Sequence, residues 1–188
     1  MSNVTMKRAN VRFNYDDYLQ LPEDKRYEIL DGELYVVPAP NIRHQRLLFR
    51  IADKLLHHTQ EKKLGEVLLA PCDVILTDEN IVQPDILFVS NERLGIIGEA
   101  NISAPPDLVI EILSPSTRNK DLQIKRKVYA GFGVREYWIV DPDEETVEVL
   151  VWSEQGYTSA GILGCSERML SPVLPELDIP ISLFFETR

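Results

Sequence analysis

A near-continuous apolar run at residues 107–113 most constrains what this chain of 188 residues can fold into. The run has the length of a β-strand, and apolar residues at successive positions indicate burial on both faces of a sheet. It begins with Asp107, and one further acidic residue, Glu111, interrupts it. A buried carboxylate is unfavourable unless it is paired or binds a metal. The run therefore predicts a central strand that carries a partnered carboxylate.

The rest of the chain is predicted to build one domain, residues 1–188, of the α/β (α+β) class around that strand. Asp31-Gly32 between two strand-like runs is typical of a tight hairpin, whose central residues need a positive φ. Asn41 is suited to cap a helix that reaches about residue 60. The expected elements are an N-terminal hairpin at 26–37, a helix at 41–60, strands at 66–77, 83–90 and 107–113, a helix at 119–131, and strands at 136–141 and 146–152. The core would cover about residues 26–152 as a central mixed sheet flanked by helices, and residues 153–188 would form a C-terminal β extension.

The composition is that of an ordinary globular protein, with 44% hydrophobic and 27% charged residues. The two cysteines, Cys72 and Cys165, lie far apart, which excludes a disulfide framework or a usual structural zinc site. We expect them to be reduced and partly buried. The N-terminus has no apolar signal segment, and no apolar run approaches the ~20 residues of a membrane span. These features predict a soluble cytoplasmic protein with no membrane partner.

The formal net charge of −10 is unfavourable for a protein that binds nucleic acid over its whole surface. The basic residues are nevertheless concentrated in two predicted helical segments. Residues 41–63 contain six Lys or Arg against two acids, and residues 118–127 contain five against one. Each segment therefore carries +4 and the rest of the chain −18. The two segments are either solvated helix faces or a confined contact for DNA.

Carboxylates inside predicted strands are the most informative feature for function. Asp85 lies in one such strand and Glu111 in the next core strand along the chain. If the two strands pair, both carboxylates could converge on one hard cation such as Mg²⁺, which prefers oxygen ligands. Each could instead form an ordinary salt bridge with Arg or Lys, and the pattern alone leaves both interpretations open.

Helical periodicity places three polar residues on faces that otherwise carry apolar side chains. Asp121 and Lys125 fall on the apolar side of the helix at 119–131, one turn apart. They either neutralise each other or allow Lys125 to reach the carboxylate site. His44 falls in the middle of the apolar arc of the first long helix. It is either a core residue or part of a site.

Several of these residues recur in an order that resembles the signature of the PD-(D/E)XK nuclease superfamily. Pro84-Asp85, followed by a strand with Glu111-Ile112-Leu113, carries the resemblance. The chain is more closely similar to the Uma-two (Uma2) type of restriction endonuclease-like proteins, over most of residues 26–142. The matching stretches are residues 27–33, 38–40 with His44, 83–86, 111–117, Asp121, Lys125, Tyr129 and 133–138.

This resemblance implies an αβββαβ core and a metal site. The metal would be Mg²⁺, or Mn²⁺, held by Asp85, Glu111 and the backbone carbonyl of Ile112. The signature has a lysine two residues after the glutamate, where this chain has Leu113. In related members a lysine from the following helix substitutes, and Lys125 occupies that place here.

Four further residues complete the expected site. Glu33 resembles an additional acidic catalytic residue that the hairpin brings beside the metal. His44 is similar to the family's histidine on the first helix, and we assign it to substrate binding. Arg118 and Lys120, from the second basic segment, are assigned to substrate binding as well.

The implied function is that of a metal-dependent endonuclease that hydrolyses phosphodiester bonds in DNA. The alternative is a catalytically degenerate protein that keeps the fold as a nucleic-acid-binding or dimerisation module. Leu113 and the acidic net charge favour this alternative, whereas Asp85, Glu111 and an inward Lys125 favour the enzyme.

We also expect a homodimer, because cleavage of both DNA strands calls for two active sites. The strand that contains Tyr137-Trp138, with its hairpin, is the apolar surface that the sequence suggests for the contact.

Overall fold

A computed structural model of the protein describes residues 11–186. The N-terminal segment in which no signal sequence was expected lies largely outside these residues. The helices are α1 (Tyr15–Tyr18), α2 (Ile42–Lys62), a π-helical turn (Lys120–Lys125) that continues into α3 (Arg126–Gly131), and α4 (Ser182–Phe185), with a 3₁₀ turn at Asn91–Ile96. The strands are β1 (Arg26–Leu30), β2 (Glu33–Val37), β3 (Gly65–Leu69), β4 (Val74–Thr77), β5 (Asn80–Val82), β6 (Ile86–Ser90), β7 (Leu108–Ile112), β8 (Glu136–Asp141), β9 (Thr146–Ser153), β10 (Gly156–Leu163), β11 (Arg168–Met169) and β12 (Ile179–Pro180). Within the described range, no helix combines the length and apolar character needed to cross a membrane.

Six strands form the main sheet in the order β10-β9-β8-β7-β6-β3. All neighbours run antiparallel except β7 and β8, which run parallel. Parallel neighbours need a crossover connection, and the π-helical turn with α3 provides it. The succession α2, β3, β6, β7, helical crossover and β8 is the predicted αβββαβ core with a central mixed sheet, so the predicted fold class is confirmed.

The central strand β7 is buried along its whole length, as its apolar pattern indicated. Side chains alternate between the two faces of a strand. Leu108, Ile110 and Ile112 pack in the cluster that contains the buried face of α2. Val109 and the following Leu113 pack in the cluster beneath α3 and the smaller sheet. Glu111 therefore lies on the α3 side of the sheet.

A second, four-stranded sheet with the order β2-β1-β5-β4 covers part of this α3 side. The prediction of a single strand at residues 66–77 is wrong, because the second half of this stretch belongs to the second sheet. Strand β3 ends at Leu69, Pro71 lies in the bend, and β4 belongs to the second sheet. Proline has no N–H to donate to a ladder, which favours a break at this point. The β4–β5 hairpin pairs with β1 through Ile29 and Ile81, and thereby brings β1 over the main sheet.

Two local sequence predictions are confirmed and one is wrong. Asp31 and Gly32 have φ values of 50° and 76°, the positive angles that the predicted hairpin turn needs. Asn41 caps α2. Both cysteines are free, but Cys165 is exposed, whereas Cys72 is partly buried as expected.

The surface suggested for dimerisation has to be corrected. Tyr137 and Trp138 are both 0% exposed, because β8 is an inner strand that pairs with β7 on one side and β9 on the other. An inner strand covered on both faces offers nothing to a second chain. In the hairpin that follows, Trp152 and Ile162 do have exposed side chains.

Candidate active site

A pocket of about 200 Å³ opens where β6 begins and β7 ends. Its walls come from β1, the start of α2, the end of β7 and the π-helical turn. In the antiparallel ladder of β6 and β7, Ile86 pairs with Ile110. Asp85 directly precedes Ile86 and Glu111 directly follows Ile110, so the antiparallel ladder places Asp85 beside Glu111. The register of two adjacent strands thus brings two carboxylates to one pocket.

Asp85 is held from two sides. The backbone N–H of Ile112 donates a hydrogen bond of 2.8 Å to Oδ2, and Nε2 of His44 lies 3.1 Å from the same oxygen. This contact is a hydrogen bond from Nε2 to the carboxylate in the tautomer that carries the ring proton on Nε2, since an ionised carboxylate only accepts. His44 is 7% exposed, in the buried face of α2, and its Nδ1 has no hydrogen-bond partner among residues 11–186. The structure thus places His44 at the site as a residue that orients Asp85.

Glu111 is buried and is bound through one oxygen by two donors. Lys125 Nζ donates to Oε1 at 2.7 Å, and the Tyr129 hydroxyl donates to the same atom at 2.8 Å. Burial raises the pKa of Glu111, Lys125 opposes this effect, and the charges of Asp121 and Asp85 reinforce it, so that the pKa rises to about 8. Glu111 therefore lies in a region crowded with negative charge.

A third carboxylate at the pocket, Glu28 of β1, was not among the predicted site residues. It is 0% exposed, and it pairs with Lys125 at 2.8 Å and with Lys120 at 2.5 Å. The backbone N–H of Gln83 also donates to it at 3.0 Å. Burial acts to raise the pKa of Glu28, but the charges of Lys125 and Lys120 outweigh it, and the pKa is lowered. The signal that could have found Glu28 is the one used for Asp85 and Glu111, an acid inside an apolar strand.

The π-helical turn resolves the alternatives left open for Asp121 and Lys125. Both are buried, and Asp121 Oδ1 lies 3.7 Å from Lys125 Nζ, farther than the carboxylates of Glu28 and Glu111. Burial raises the pKa of Asp121, and Lys125 partly offsets this. Turns of this type are rare and occur often at functional sites. Lys125 therefore reaches the strand carboxylates rather than pairing with Asp121 alone.

The profile of the Uma2 family, whose description is "Putative restriction endonuclease", matches residues 15–182. The chain belongs to this family. The family predicted from the sequence is thus confirmed, and membership supports a nuclease function.

A solved structure resembles the fold of this Uma2 chain. It is the crystal structure of "a putative nuclease belonging to DUF820" from Anabaena variabilis ATCC 29413, with a TM-score of 0.77 and 22% identity. The similarity covers 92% of this chain and 97% of that one. At this level of identity the likeness shows a common fold. The curated proteins include no match to the chain.

The structure does not bring all the predicted site residues of this Uma2 chain to the pocket. Lys120 lines the pocket, whereas Glu33 and Arg118 are exposed and do not line it. Glu33 accepts a hydrogen bond of 2.7 Å from Tyr35, and Arg118 pairs with Asp141 at 2.7 Å. The hairpin does bring an acid to the site, but that acid is Glu28.

The position of the missing signature lysine is also explained by packing in this Uma2 chain. Leu113 is 4% exposed and belongs to the apolar cluster beneath α3. A lysine there would place its charge among apolar side chains, which is unfavourable. Lys125 enters the pocket from the crossover helix instead and reaches Glu111.

The groups at the pocket are suited to a hard cation. Among residues 11–186 no three His, Cys, Asp or Glu side chains form a ready-made metal cluster. Asp85, Glu111 and the Ile112 carbonyl are all oxygen ligands, however, and Mg²⁺ typically uses one or two carboxylates and keeps several waters. Burial is the main cause of the raised pKa of Glu111, and the neighbouring charges of Asp121 and Asp85, which add to it, also favour a cation there. The residues present therefore fit a magnesium or manganese ion.

Proposed function

We propose that the protein is a Mg²⁺-dependent endonuclease, also served by Mn²⁺, that hydrolyses phosphodiester bonds in DNA. The observation that carries the proposal is that Asp85, Glu111 and Lys125 line one pocket of a Uma2-family chain. Carboxylates that hold a cation, with a lysine beside them, are the groups that metal-assisted phosphodiester hydrolysis uses.

Asp85, Glu111 and the backbone carbonyl of Ile112 would hold the cation. A bound metal lowers the pKa of its water and offsets charge on the phosphate. The protein's own contribution is orientation. Asp85 is tied to the end of β7 by the Ile112 amide and is braced by His44, so its position relative to Glu111 is set before any ligand arrives.

Lys125 supplies a positive charge directly beside Glu111. Its ammonium group lies 2.7 Å from Glu111 Oε1, so it is adjacent to any ion or water that Glu111 binds. From there it can orient the attacking water or stabilise the negative charge that develops on the phosphate. The side chain is buried, so this charge acts in a region of low dielectric, where it is worth more than in water.

The DNA contact is proposed to be confined to the rim of the pocket. The start of α2 and the π-helical turn, which belong to the two basic segments, both border the pocket. Arg43 and Arg118 already pair with Asp143 and Asp141 at 2.7 Å each. A net charge of −10 and these internal pairs predict weak, salt-sensitive binding to DNA.

The direct experiment is cleavage of supercoiled plasmid by the purified protein with Mg²⁺, with Mn²⁺ and with EDTA. We expect nicking with either metal and none with EDTA. Asp85→Ala should abolish nicking, whereas Asp78→Ala, an exposed acid in the β4–β5 turn, should leave it unchanged. Cleavage that persists in Asp85→Ala would exclude the assigned site, and inactivity of the wild type with both metals would exclude the nuclease.

The second candidate is a non-enzymatic module that binds nucleic acid or dimerises. It is favoured by Leu113, which is buried where the signature has its lysine, and by the lysines that already pair with Glu28 and Glu111. The two functions differ in one measurement. A protein that retards labelled DNA in a gel but never cleaves it, with either metal, would be this module.

A further inference from the structure

Glu28 is the most completely paired acid of the pocket, and neither its position in the sequence nor the proposed metal ligands give it a role. Its Oε1 faces Lys125 at 2.8 Å and accepts from the Gln83 amide at 3.0 Å, while its Oε2 accepts from Lys120 at 2.5 Å. The side chain is fully buried. Because leaving a buried carboxylate without partners is strongly unfavourable, these contacts hold Glu28 in one position.

The contact with Lys125 matters because Lys125 is shared. Its ammonium lies 2.8 Å from Glu28 and 2.7 Å from Glu111, and the next carboxylate, Asp121, is 3.7 Å away. An ammonium beside a carboxylate and a metal on that carboxylate compete for the same negative charge. How strongly Lys125 is drawn to Glu111 therefore affects how readily Glu111 can bind a cation.

We infer that Glu28 is a positioning residue that draws part of the Lys125 charge away from Glu111 and so keeps Glu111 available to the metal. The inference rests on the proposed function. Without the Glu28 charge, Glu111 is the one carboxylate left within 3 Å of Lys125, and the ammonium then opposes metal binding at Glu111 more strongly. Glu28 reaches the metal site through Lys125 and does not ligate the ion itself.

The test is a double-mutant cycle on metal affinity, measured by titration calorimetry with Mn²⁺ in the absence of DNA. The variants are Glu28→Gln, Lys125→Gln and the double variant, since glutamine removes each charge but keeps a hydrogen-bonding side chain. We expect Glu28→Gln to weaken Mn²⁺ binding about tenfold in the presence of Lys125, and less than about threefold when Lys125 is already Gln. Glu28→Asp keeps the charge but withdraws it by one methylene, and should weaken binding in the same direction.

Three results would overturn the inference. An equal loss of affinity with and without Lys125 would make Glu28 a direct ligand or a distant charge. Unchanged Mn²⁺ affinity in Glu28→Gln and Glu28→Asp would make it purely structural. A wild type that neither binds Mn²⁺ nor cleaves DNA would overturn the proposed function together with the inference, whereas a wild type that does both leaves the proposed function standing.

A matched control separates positioning from simple loss of stability. Glu136 is also 0% exposed and hydrogen-bonded, to Trp138, Ser171 and the Val173 amide, but it does not line the pocket. Glu136→Gln should lower the melting temperature without changing Mn²⁺ affinity. If Lys125→Gln does not fold, Glu28→Asp compared with this control still separates positioning from a purely structural role, because both variants keep Lys125 in place.

Discussion

The backbone amide of Ile112 donates a hydrogen bond of 2.8 Å to the side chain of Asp85, and this bond joins the end of β7 to the residue that precedes β6. It makes the position of Asp85 a consequence of strand register. The same register places Glu111 beside Asp85, so the two acids are held together by the main sheet itself.

Asp85→Asn should keep the fold and lose cleavage. The asparagine carbonyl can still accept from the Ile112 amide, but the negative charge that would bind the metal is gone. We expect a loss of at least about 100-fold in the cleavage rate, which corresponds to ~2.7 kcal/mol of transition-state stabilisation. The measurement is plasmid nicking, with far-UV circular dichroism to establish folding. A folded variant with wild-type activity would contradict the assignment.

Lys125→Met should lower stability as well as activity. Removing the lysine leaves Glu28 and Glu111 buried and short of a counter-charge, and breaking a buried pair in this way typically costs about 3–5 kcal/mol. Urea unfolding of the metal-free protein measures the loss. The corresponding loss should be small for Lys54→Met, whose lysine forms a partly exposed pair with Asp53. If Lys125→Met and Lys54→Met lose equal amounts of the free energy of unfolding, the buried ion pairs of Lys125 contribute no more than a partly exposed pair, and the prediction is wrong.

Asp107 should make the protein sensitive to acid. It accepts from the Ser90 amide at 2.9 Å and pairs with Arg93 at 3.0 Å and Arg135 at 3.3 Å. Burial acts to raise its pKa, but the hydrogen bonds from Ser90 and Arg93 lower it below the usual value. A carboxyl whose pKa is lowered by folding stabilises the protein above its unfolded pKa, and this contribution is lost as the pH falls through the folded value.

Asp107→Asn tests the direction of this pH dependence of stability. The variant should be less stable than the wild type by about 1–3 kcal/mol at pH 7, because its charge-assisted bonds are lost. The difference should shrink in strong acid, as the pH falls through the lowered folded pKa of Asp107 and the wild-type carboxylate becomes protonated. Chemical unfolding at both pH values gives the comparison, and a difference that grows in acid would contradict it.

The homodimer remains a prediction, and the surface for it now has to lie outside β8. Light scattering should give the mass of two chains. The exposed side chain of Ile162 on the edge strand β10 is the hairpin residue to change, since an edge strand presents unpaired backbone groups to a second chain. Ile162→Asp should shift the mass towards one chain. A wild type with the mass of one chain would remove dimerisation from the proposal.

What the sequence determined by itself follows from short-range periodicity. The apolar run around Glu111 predicted a central strand, because a strand buried on both faces needs apolar residues at successive positions. The inward directions of His44, Asp121 and Lys125 also followed from a local repeat, and all three are buried. The Uma2 family could be identified from the same ordered residues.

What only the tertiary structure decided depends on contacts between distant segments. Glu28 joins the site because the chain leaves the main sheet at Pro71 and the β4–β5 hairpin then pairs with β1, whereas Glu33 lies on β2, the edge strand of this second sheet. Tyr137 and Trp138 are buried because both faces of β8 are covered, with Trp138 in the apolar cluster on the α2 side and Tyr137 in the cluster on the α3 side. Such placements depend on which strands pair across a long sequence separation. That pairing is decided by the packing of the whole domain, whereas periodicity specifies only which side of an element a residue occupies.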